Sequence, residues 1–316
     1  MRVAFLGLGA IGAPMARHLA AGPSFAVALW NRTGAKARAL ADAAIAADPS
    51  AAARVRVATT PADAARGAEV VATCLPTSRE VEALLEGPDG LLAGLERGAL
   101  LVDCTSGDPA TSRRIADRLA ARGVGFVDAP VSGGVSGAEQ GTLTVMCGGD
   151  AANVERARPL LAAFGKKIVH CGPVGAGHAL KAVNNALLAV HVWSTAEGLA
   201  ALERSGVRAD VALEVINASS GRSNSSMNLF PERVLGRAFP RTFRLALLDK
   251  DVGIAAAVAR EQRVPAPLLQ LTAELFTIAH RALGEEADHV EAVKVVEEWA
   301  GVEIGAANND GTRNEA

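Results

Sequence analysis

The chain has 316 residues, half of them hydrophobic, and a formal net charge of −2 with both signs dispersed. That length exceeds one ordinary domain and supplies core enough for two, while the near-neutral balance gives no whole-chain basis for nucleic-acid or membrane-surface binding. Tyrosine is absent, which excludes any mechanism that needs a tyrosine acid.

Met1 runs straight into a strand-like segment without a signal-peptide layout, and no uninterrupted apolar span of about twenty residues follows. A cytoplasmic protein is expected. Cys74, Cys104, Cys147 and Cys171 lie far apart without metal-ligand spacing, each in or beside an apolar run. They are expected to be reduced, buried and structural, and no metal site is expected.

Val3 to Leu6 is a short apolar run followed by Gly7-Leu8-Gly9-Ala10-Ile11-Gly12 and an Ala-rich amphipathic segment to about Ala21. This reads as strand, glycine turn, helix. Gly7 and Gly9 allow the tight turn and a close approach to a pyrophosphate, Gly12 allows the helix to pack on the strand, and the helix start offers free amides. The context supports dinucleotide binding, because a second strand follows from Phe25 to Trp30. A carboxylate at its end would favour NAD through the ribose 2′-hydroxyl. The sequence there has Asn31-Arg32-Thr33 and then Lys36, which suits a 2′-phosphate and points to NADP in preference to NAD.

Alternation continues with helical Ala39 to Ala47, strands Val55 to Ala58 and Val70 to Leu75, helical Ser78 to Leu85, strand Leu100 to Cys104, helical Thr111 to Ala121 and strand Gly125 to Val127. That order predicts right-handed crossovers and a mostly parallel, doubly wound sheet with ligand at the carboxyl ends of its strands. Two polar strand tips, Cys74-Leu75-Pro76-Thr77 and Asp103-Cys104-Thr105-Ser106, are expected near the nicotinamide half. In the glycine-rich run after Asp128, Ser132-Gly133-Gly134 offers a hydroxyl and unhindered backbone amides, an anion pocket suited to a carboxylate. Strands Leu143 to Cys147 and Lys167 to His170 lead to Gly172-Pro173. A Rossmann domain is expected over residues 1–172.

Beyond Pro173 the apolar period is helical, with segments near Ala209 to Asn217, Leu247 to Arg260, Leu268 to Leu283 and Val290 to Trp299. An all-helical domain is expected over 173–302, and a frayed tail over 303–316. A long helix opens at Gly175-Ala-Gly-His-Ala-Leu-Lys-Ala-Val-Asn-Asn185, where Lys181, Asn184 and Asn185 share one face among apolar neighbours. An ammonium there costs free energy unless partnered or its pKa falls, which makes Lys181 a candidate proton donor and acceptor. Lys250 and Asp251 form a polar pair within a later apolar helix.

These residues resemble the β-hydroxyacid dehydrogenases, and most closely the 3-hydroxyisobutyrate dehydrogenase family, over nearly the whole chain. The resemblance is carried in order by Phe5 to Met15, Leu75-Pro76, Asp103 to Pro109, Asp128 to Gly149, Gly175 to Asn185 and Lys250-Asp251. It implies Lys181 as catalytic acid/base, Asn185 as a substrate contact, Ser132, Gly133 and Gly134 as the carboxylate site, and Lys250 beside the cofactor. It also implies a Rossmann domain followed by a helical domain, assembled as homodimers or homotetramers. The sequence departs from the family at Ile11, at Thr105-Ser106 where the hydroxyl order is swapped, at Arg241-Thr-Phe243, and in the small polar stretch Arg222 to Asn228. Thr105 is an expected substrate and cofactor contact, and either Thr105 or Ser106 is expected to meet the nicotinamide.

The expected activity is NADP-dependent interconversion of a small β-hydroxy acid, of 3-hydroxyisobutyrate type, and its semialdehyde. The alternatives are a glyoxylate or succinic semialdehyde reductase, an imine reductase, and a non-catalytic NADP-binding scaffold. An oxidative decarboxylase of 6-phosphogluconate type is set aside because it needs a longer helical domain.

Overall fold

The computed structural model describes residues 1–305, which form two compact units that part within one long helix, between Ala182 and Val183. In the first unit the order is β1 (Arg2–Leu6), α1 (Gly12–Ala21), β2 (Ala26–Trp30), α2 (Gly34–Ala47), β3 (Val55–Val57), α3 (Pro61–Ala65), β4 (Val70–Thr73), α4 (Ser78–Leu84), α5 (Leu91–Gly94), β5 (Leu100–Asp103) and α6 (Pro109–Ala120). Then follow β6 (Gly125–Asp128), β7 (Val131–Ser132), α7 (Gly134–Gln140), β8 (Leu143–Gly148), α8 (Ala151–Leu161), β9 (Gly165–Gly172) and the start of α9 (Ala176–Arg204).

The sheet order is β3-β2-β1-β4-β5-β6-β8-β7, with β9 on the other side of β8. The first six strands are parallel, and β8 runs antiparallel to β6 and β7. Because side chains alternate along a strand, one sheet fills two cores. Val3 and Phe5 of β1 join Met15, Leu19, Leu29, Val102 and Phe164 on one face. Ala4 and Leu6 join Val71, Leu85, Leu101, Ile115 and Phe126 on the other. Each large side chain so buried contributes about 1.5–3 kcal/mol. Local chemistry starts the helices: Asp108 accepts from the amides of Ala110 and Thr111 with Pro109 at the first position of α6, and Thr77 accepts from Arg79 to begin α4.

Register fixes where the loops emerge. Leu6 pairs with Trp30 on one side and Thr73 on the other, Thr73 pairs with Asp103, and Asp103 with Asp128. The carboxyl ends of β2, β1, β4, β5 and β6 therefore lie in one row, and β1 is flanked by strands reached in opposite directions along the sheet. That is the topological switch point where α/β sheets bind ligands.

The second unit is helical, with the remainder of α9, α10 (Ala209–Asn217), a π-helical segment Ser225–Val234, α11 (Leu245–Glu261), α12 (Pro267–Leu283), a 3₁₀ turn His289–Ala292 and α13 (Val293–Ala300). Trp193, Phe230, Leu248, Val252, Phe276 and Val293 are buried in it. The Arg241-Thr-Phe243 departure has a structural role, because the Asp288 carboxylate accepts from the amides of Thr242 (2.7 Å) and Phe243 (2.9 Å) as α11 is approached.

Several features differ from expectation. The glycine-rich run contains α7, a helix that its glycines disfavour but that buries Gly137 and Ala138 against the core. Cys74 and Cys171 are only half-buried, whereas Cys104 and Cys147 are buried; all four are free thiols. Each is raised above the ordinary thiol value chiefly by burial, Cys74 and Cys147 to about 12. The tail expected from residue 303 is held at its start, where Ile304 is buried and its amide donates to Glu297; residues 306–316 lie outside the described residues. No helix among the described residues is long and apolar enough to cross a membrane.

Candidate active site

The glycine turn after β1 is dictated by contact. Gly7 has φ +101°, and a Cβ there would lie 2.2 Å from the Cys74 carbonyl oxygen at the end of β4; a Cβ on Gly12 would lie 2.1 Å from the Gly7 carbonyl oxygen. Both positions exclude a side chain. Gly9 differs, since a Cβ there would meet nothing within 4 Å, so its backbone faces open space. Gly9 and Ala10 are exposed, and no side chain caps α1 after Ile11. The helix start therefore offers amides and its dipole to an anion, and these residues fit a dinucleotide pyrophosphate.

Asn31 at the tip of β2 braces that turn. Its Oδ1 accepts from the Leu8 amide (2.9 Å) and its Nδ2 donates to the Thr33 carbonyl (3.1 Å). Arg32, Thr33 and Lys36 are exposed around the start of α2. Arg38, which the sequence reading did not single out, is also exposed there.

The β4 and β5 tips are tied to one another. The Leu75 amide donates to Thr105 Oγ1 (3.1 Å), the Thr105 amide to Asp103 Oδ1 (3.1 Å), and the Thr73 hydroxyl to the same oxygen (2.9 Å). Thr105 is thus buried and turned into the fold, while Ser106 beside it is half-buried. Pro76 is exposed at the tip of β4.

Ser132 ends β7 and is half-buried, and Gly133 and Gly134 are exposed. Gly133 has φ +137° and Gly134 φ +65°, conformations that suit glycine at both positions. A Cβ on Gly134 would meet nothing within 4 Å, so a ligand can approach that backbone.

The first turn of α9 is seated at the same edge. Asp128, buried at the end of β6, accepts from the amides of Gly175 (2.7 Å) and His178 (2.9 Å). Burial pushes its carboxyl above the ordinary value, against the opposing pull of His178 and these amides. A Cβ on Gly177 would lie 2.2 Å from the Met146 carbonyl oxygen, which is why the helix starts with glycines. Lys181, one turn on from His178, is 9% exposed.

The remaining candidates belong to the second unit. Asn185 is 4% exposed; its Nδ2 donates to Asp251 Oδ2 (2.6 Å) and its Oδ1 accepts from Asn184 Nδ2 (3.2 Å). Asp251, 2% exposed, also pairs through Oδ1 with Lys250 Nζ at 2.8 Å. The sequence paired Asp251 with Lys250 but did not show it as the anchor of Asn185, and it gave no role to His178. The only available signal was a histidine in a glycine-flanked helix start. Among the described residues, no group of three His, Cys, Asp or Glu side chains converges as a metal site.

A glycine turn at a sheet switch point, leading through a buried lysine helix into a helical domain, defines a dinucleotide-dependent dehydrogenase architecture. Residues 2–172 match the family described as the NAD binding domain of 6-phosphogluconate dehydrogenase, and residues 175–296 match that described as NAD-binding of NADP-dependent 3-hydroxyisobutyrate dehydrogenase. The chain is 34% identical to 2-(hydroxymethyl)glutarate dehydrogenase of Eubacterium barkeri, over 96% of this chain and 97% of the relative. It is 37% identical to an NAD-dependent L-serine dehydrogenase of Pseudomonas aeruginosa, over 88% and 91%. Among solved structures, Mycobacterium tuberculosis 3-hydroxyisobutyrate dehydrogenase with L-serine superposes with a TM-score of 0.80 at 31% identity, covering 93% of this chain and 98% of that one. The chain belongs to the β-hydroxyacid dehydrogenase family, NAD(P)-dependent oxidoreductases that act on CH–OH groups.

Proposed function

We propose that this enzyme interconverts a small β-hydroxy acid, of 3-hydroxyisobutyrate type, and its semialdehyde, preferring NADP and using Lys181 as acid/base. The observation that carries the reading is a nearly buried lysine one turn beyond a helix start anchored on Asp128, at the sheet edge where the glycine turn emerges. Bound NADP supplies or accepts the hydride. Lys181 takes the proton of the carbinol oxygen in oxidation and returns it in reduction. Ser132 and the amides of Gly133 and Gly134 hold the substrate carboxylate, and Asn185 supports the substrate from the next turn of α9.

On the cofactor side, the turn from Gly7 to Gly12 holds the pyrophosphate, and Leu75, Pro76 and Lys250 flank the cofactor. Ser106 is the better candidate than Thr105 for the nicotinamide contact, because it is half-buried whereas Thr105 is buried, with its hydroxyl oxygen accepting from the Leu75 amide. Arg32, Thr33 and Lys36 support NADP, since the β2 tip is cationic and lacks the carboxylate that would receive a ribose hydroxyl. The relatives' named substrates, L-serine and 2-(hydroxymethyl)glutarate, both carry a CH₂OH group on the carbon next to a carboxylate, which supports the same substrate class here. Exposed Leu268, Leu271 and Ile278 on α12 are consistent with self-association as a dimer or tetramer.

The test is NADPH and NADH absorbance measured against a panel of short hydroxy acids and aldehyde acids, with 3-hydroxyisobutyrate, L-serine, glyoxylate and succinic semialdehyde included. Turnover of a β-hydroxy acid or its semialdehyde with NADPH strongly preferred supports the reading. Preference for glyoxylate or succinic semialdehyde moves the assignment to the reductase alternative.

A further inference from the structure

Among the buried titratable side chains that the mechanism above leaves unused, His178 stands nearest to Lys181 in the chain. His178 is fully enclosed in the first turn of α9. Its Nδ1 lies 2.6 Å from Ser112 Oγ on α6, and that hydroxyl also reaches the Asp108 carbonyl at 3.0 Å. Its ring lies against Gly107, where a Cβ would come within 2.8 Å of His178 Cε1. The other nitrogen, Nε2, has no hydrogen-bond partner among the described residues, and Asp103 Oδ2 stands 4.0 Å away.

A buried nitrogen left without a partner is costly, so an orphan at this position calls for a reason. A bare lone pair facing a carboxylate would be repelled; the ring proton therefore belongs on Nε2, facing Asp103 across 4.0 Å, and the single proton of Ser112 Oγ goes to Nδ1 and not to the Asp108 carbonyl. The other oxygen of Asp103 already receives the Thr73 hydroxyl and the Thr105 amide, and Thr105 in turn receives the Leu75 amide. One buried chain of contacts thus runs from the β4 tip through the β5 tip to the first turn of α9. Its last step, His178 to Asp103, is a 4.0 Å electrostatic approach and not a hydrogen bond. Lys181 follows His178 by three residues, so whatever fixes the height and rotation of this turn also sets where the lysine ammonium sits.

We propose that His178 is a positioning residue, whose Nε2–H, facing the Asp103 carboxylate across 4.0 Å, holds the helix of Lys181 electrostatically to the strand tips that carry Leu75 and Thr105-Ser106. The inference rests on the acid/base role proposed for Lys181. It reaches further, because it assigns a function to a side chain that touches neither substrate nor cofactor.

Two variants separate this from simple packing. His178→Gln keeps an amide at the reach of Nε2, whereas His178→Asn keeps one only at the reach of Nδ1. The kcat of His178→Asn should fall on the order of 10- to 100-fold through misplacement of the lysine, with KM for NADP and the thermal midpoint matching those of His178→Gln. His178→Gln should stay within a few-fold of wild type. If His178→Asn folds poorly, Asp103→Asn removes the same link from the other side and should lower kcat likewise.

A readout that needs no turnover is the ¹H–¹⁵N spectrum of histidine-labelled protein, recorded with and without NADP. The His178 Nε2–H signal should be present, shifted downfield, and altered by Asp103→Asn. A His178→Asn enzyme with wild-type kcat, or an unprotonated Nε2, overturns the proposal. If the wild type turns over none of the panel substrates, the functional reading fails instead, and the spectrum alone decides the link.

Discussion

Asn185 and Asp251 are joined by a 2.6 Å hydrogen bond, and the second oxygen of Asp251 binds Lys250 at 2.8 Å. One buried carboxylate therefore orients two of the candidate contacts. Asp251→Ala frees the Asn185 carboxamide to rotate and leaves Lys250 without that partner. A hydrogen bond to a charged group is worth about 1.5–3 kcal/mol, so kcat/KM should fall about 10- to 100-fold. Steady-state kinetics with substrate and NADPH varied in turn check this; unchanged KM values for both would show that Asp251 orients neither residue.

Arg32 stands exposed at the β2 tip without a competing carboxylate in the Asn31-Arg32-Thr33 turn. Arg32→Ala should raise KM for NADPH about tenfold or more, the loss of one charge-assisted contact, and leave KM for NADH nearly unchanged. Equal losses with both cofactors would place the arginine on adenine and away from the 2′-phosphate.

Gly134 combines φ +65° with open space beyond its missing Cβ. Gly134→Ala should cost only about 1–2 kcal/mol in stability, the strain of a left-handed residue, while the added methyl group should obstruct the proposed anion pocket. KM for the carboxylated substrate should rise and NADPH binding, followed by fluorescence, should not move. A variant that binds substrate normally would remove the Ser132-Gly133-Gly134 pocket from the account.

Asp288 contributes to the acid limb of stability. Burial alone would raise its carboxyl, but His289 beside it and the amides of Phe243 and Thr242 outweigh burial and hold it well below the ordinary value of 3.8. A carboxylate depressed in the folded state contributes stability that is fully present above the unfolded value and is lost as pH falls below it towards the folded value. Denaturant unfolding between about pH 5 and pH 2.5 should show stability dropping with acid in the wild type. Asp288→Asn should be less stable at neutral pH and show a shallower drop.

What the sequence made legible was local. Gly12 is demanded by a turn that closes on Gly7 within a few residues, and Lys181 and Asn185 share a face by helical spacing alone. The alternation of strands and helices gave the doubly wound sheet in the same way. What stayed hidden depends on contacts between distant parts of the chain. Asp128 binds the amides of Gly175 and His178 across nearly fifty residues of sequence, and His178 faces Asp103 from a different element. Helix α7 forms against its glycine content because Gly137 and Ala138 find a core to enter. That Thr105 turns into the fold could not be read either, because its hydroxyl oxygen accepts from the Leu75 amide of a neighbouring strand tip.

The most direct test is Lys181→Ala, with NADPH binding measured by fluorescence and turnover measured on the best substrate of the panel. The account predicts that binding persists and kcat falls by roughly 100- to 10,000-fold, the loss of a general acid/base. Turnover at the wild-type rate would contradict it.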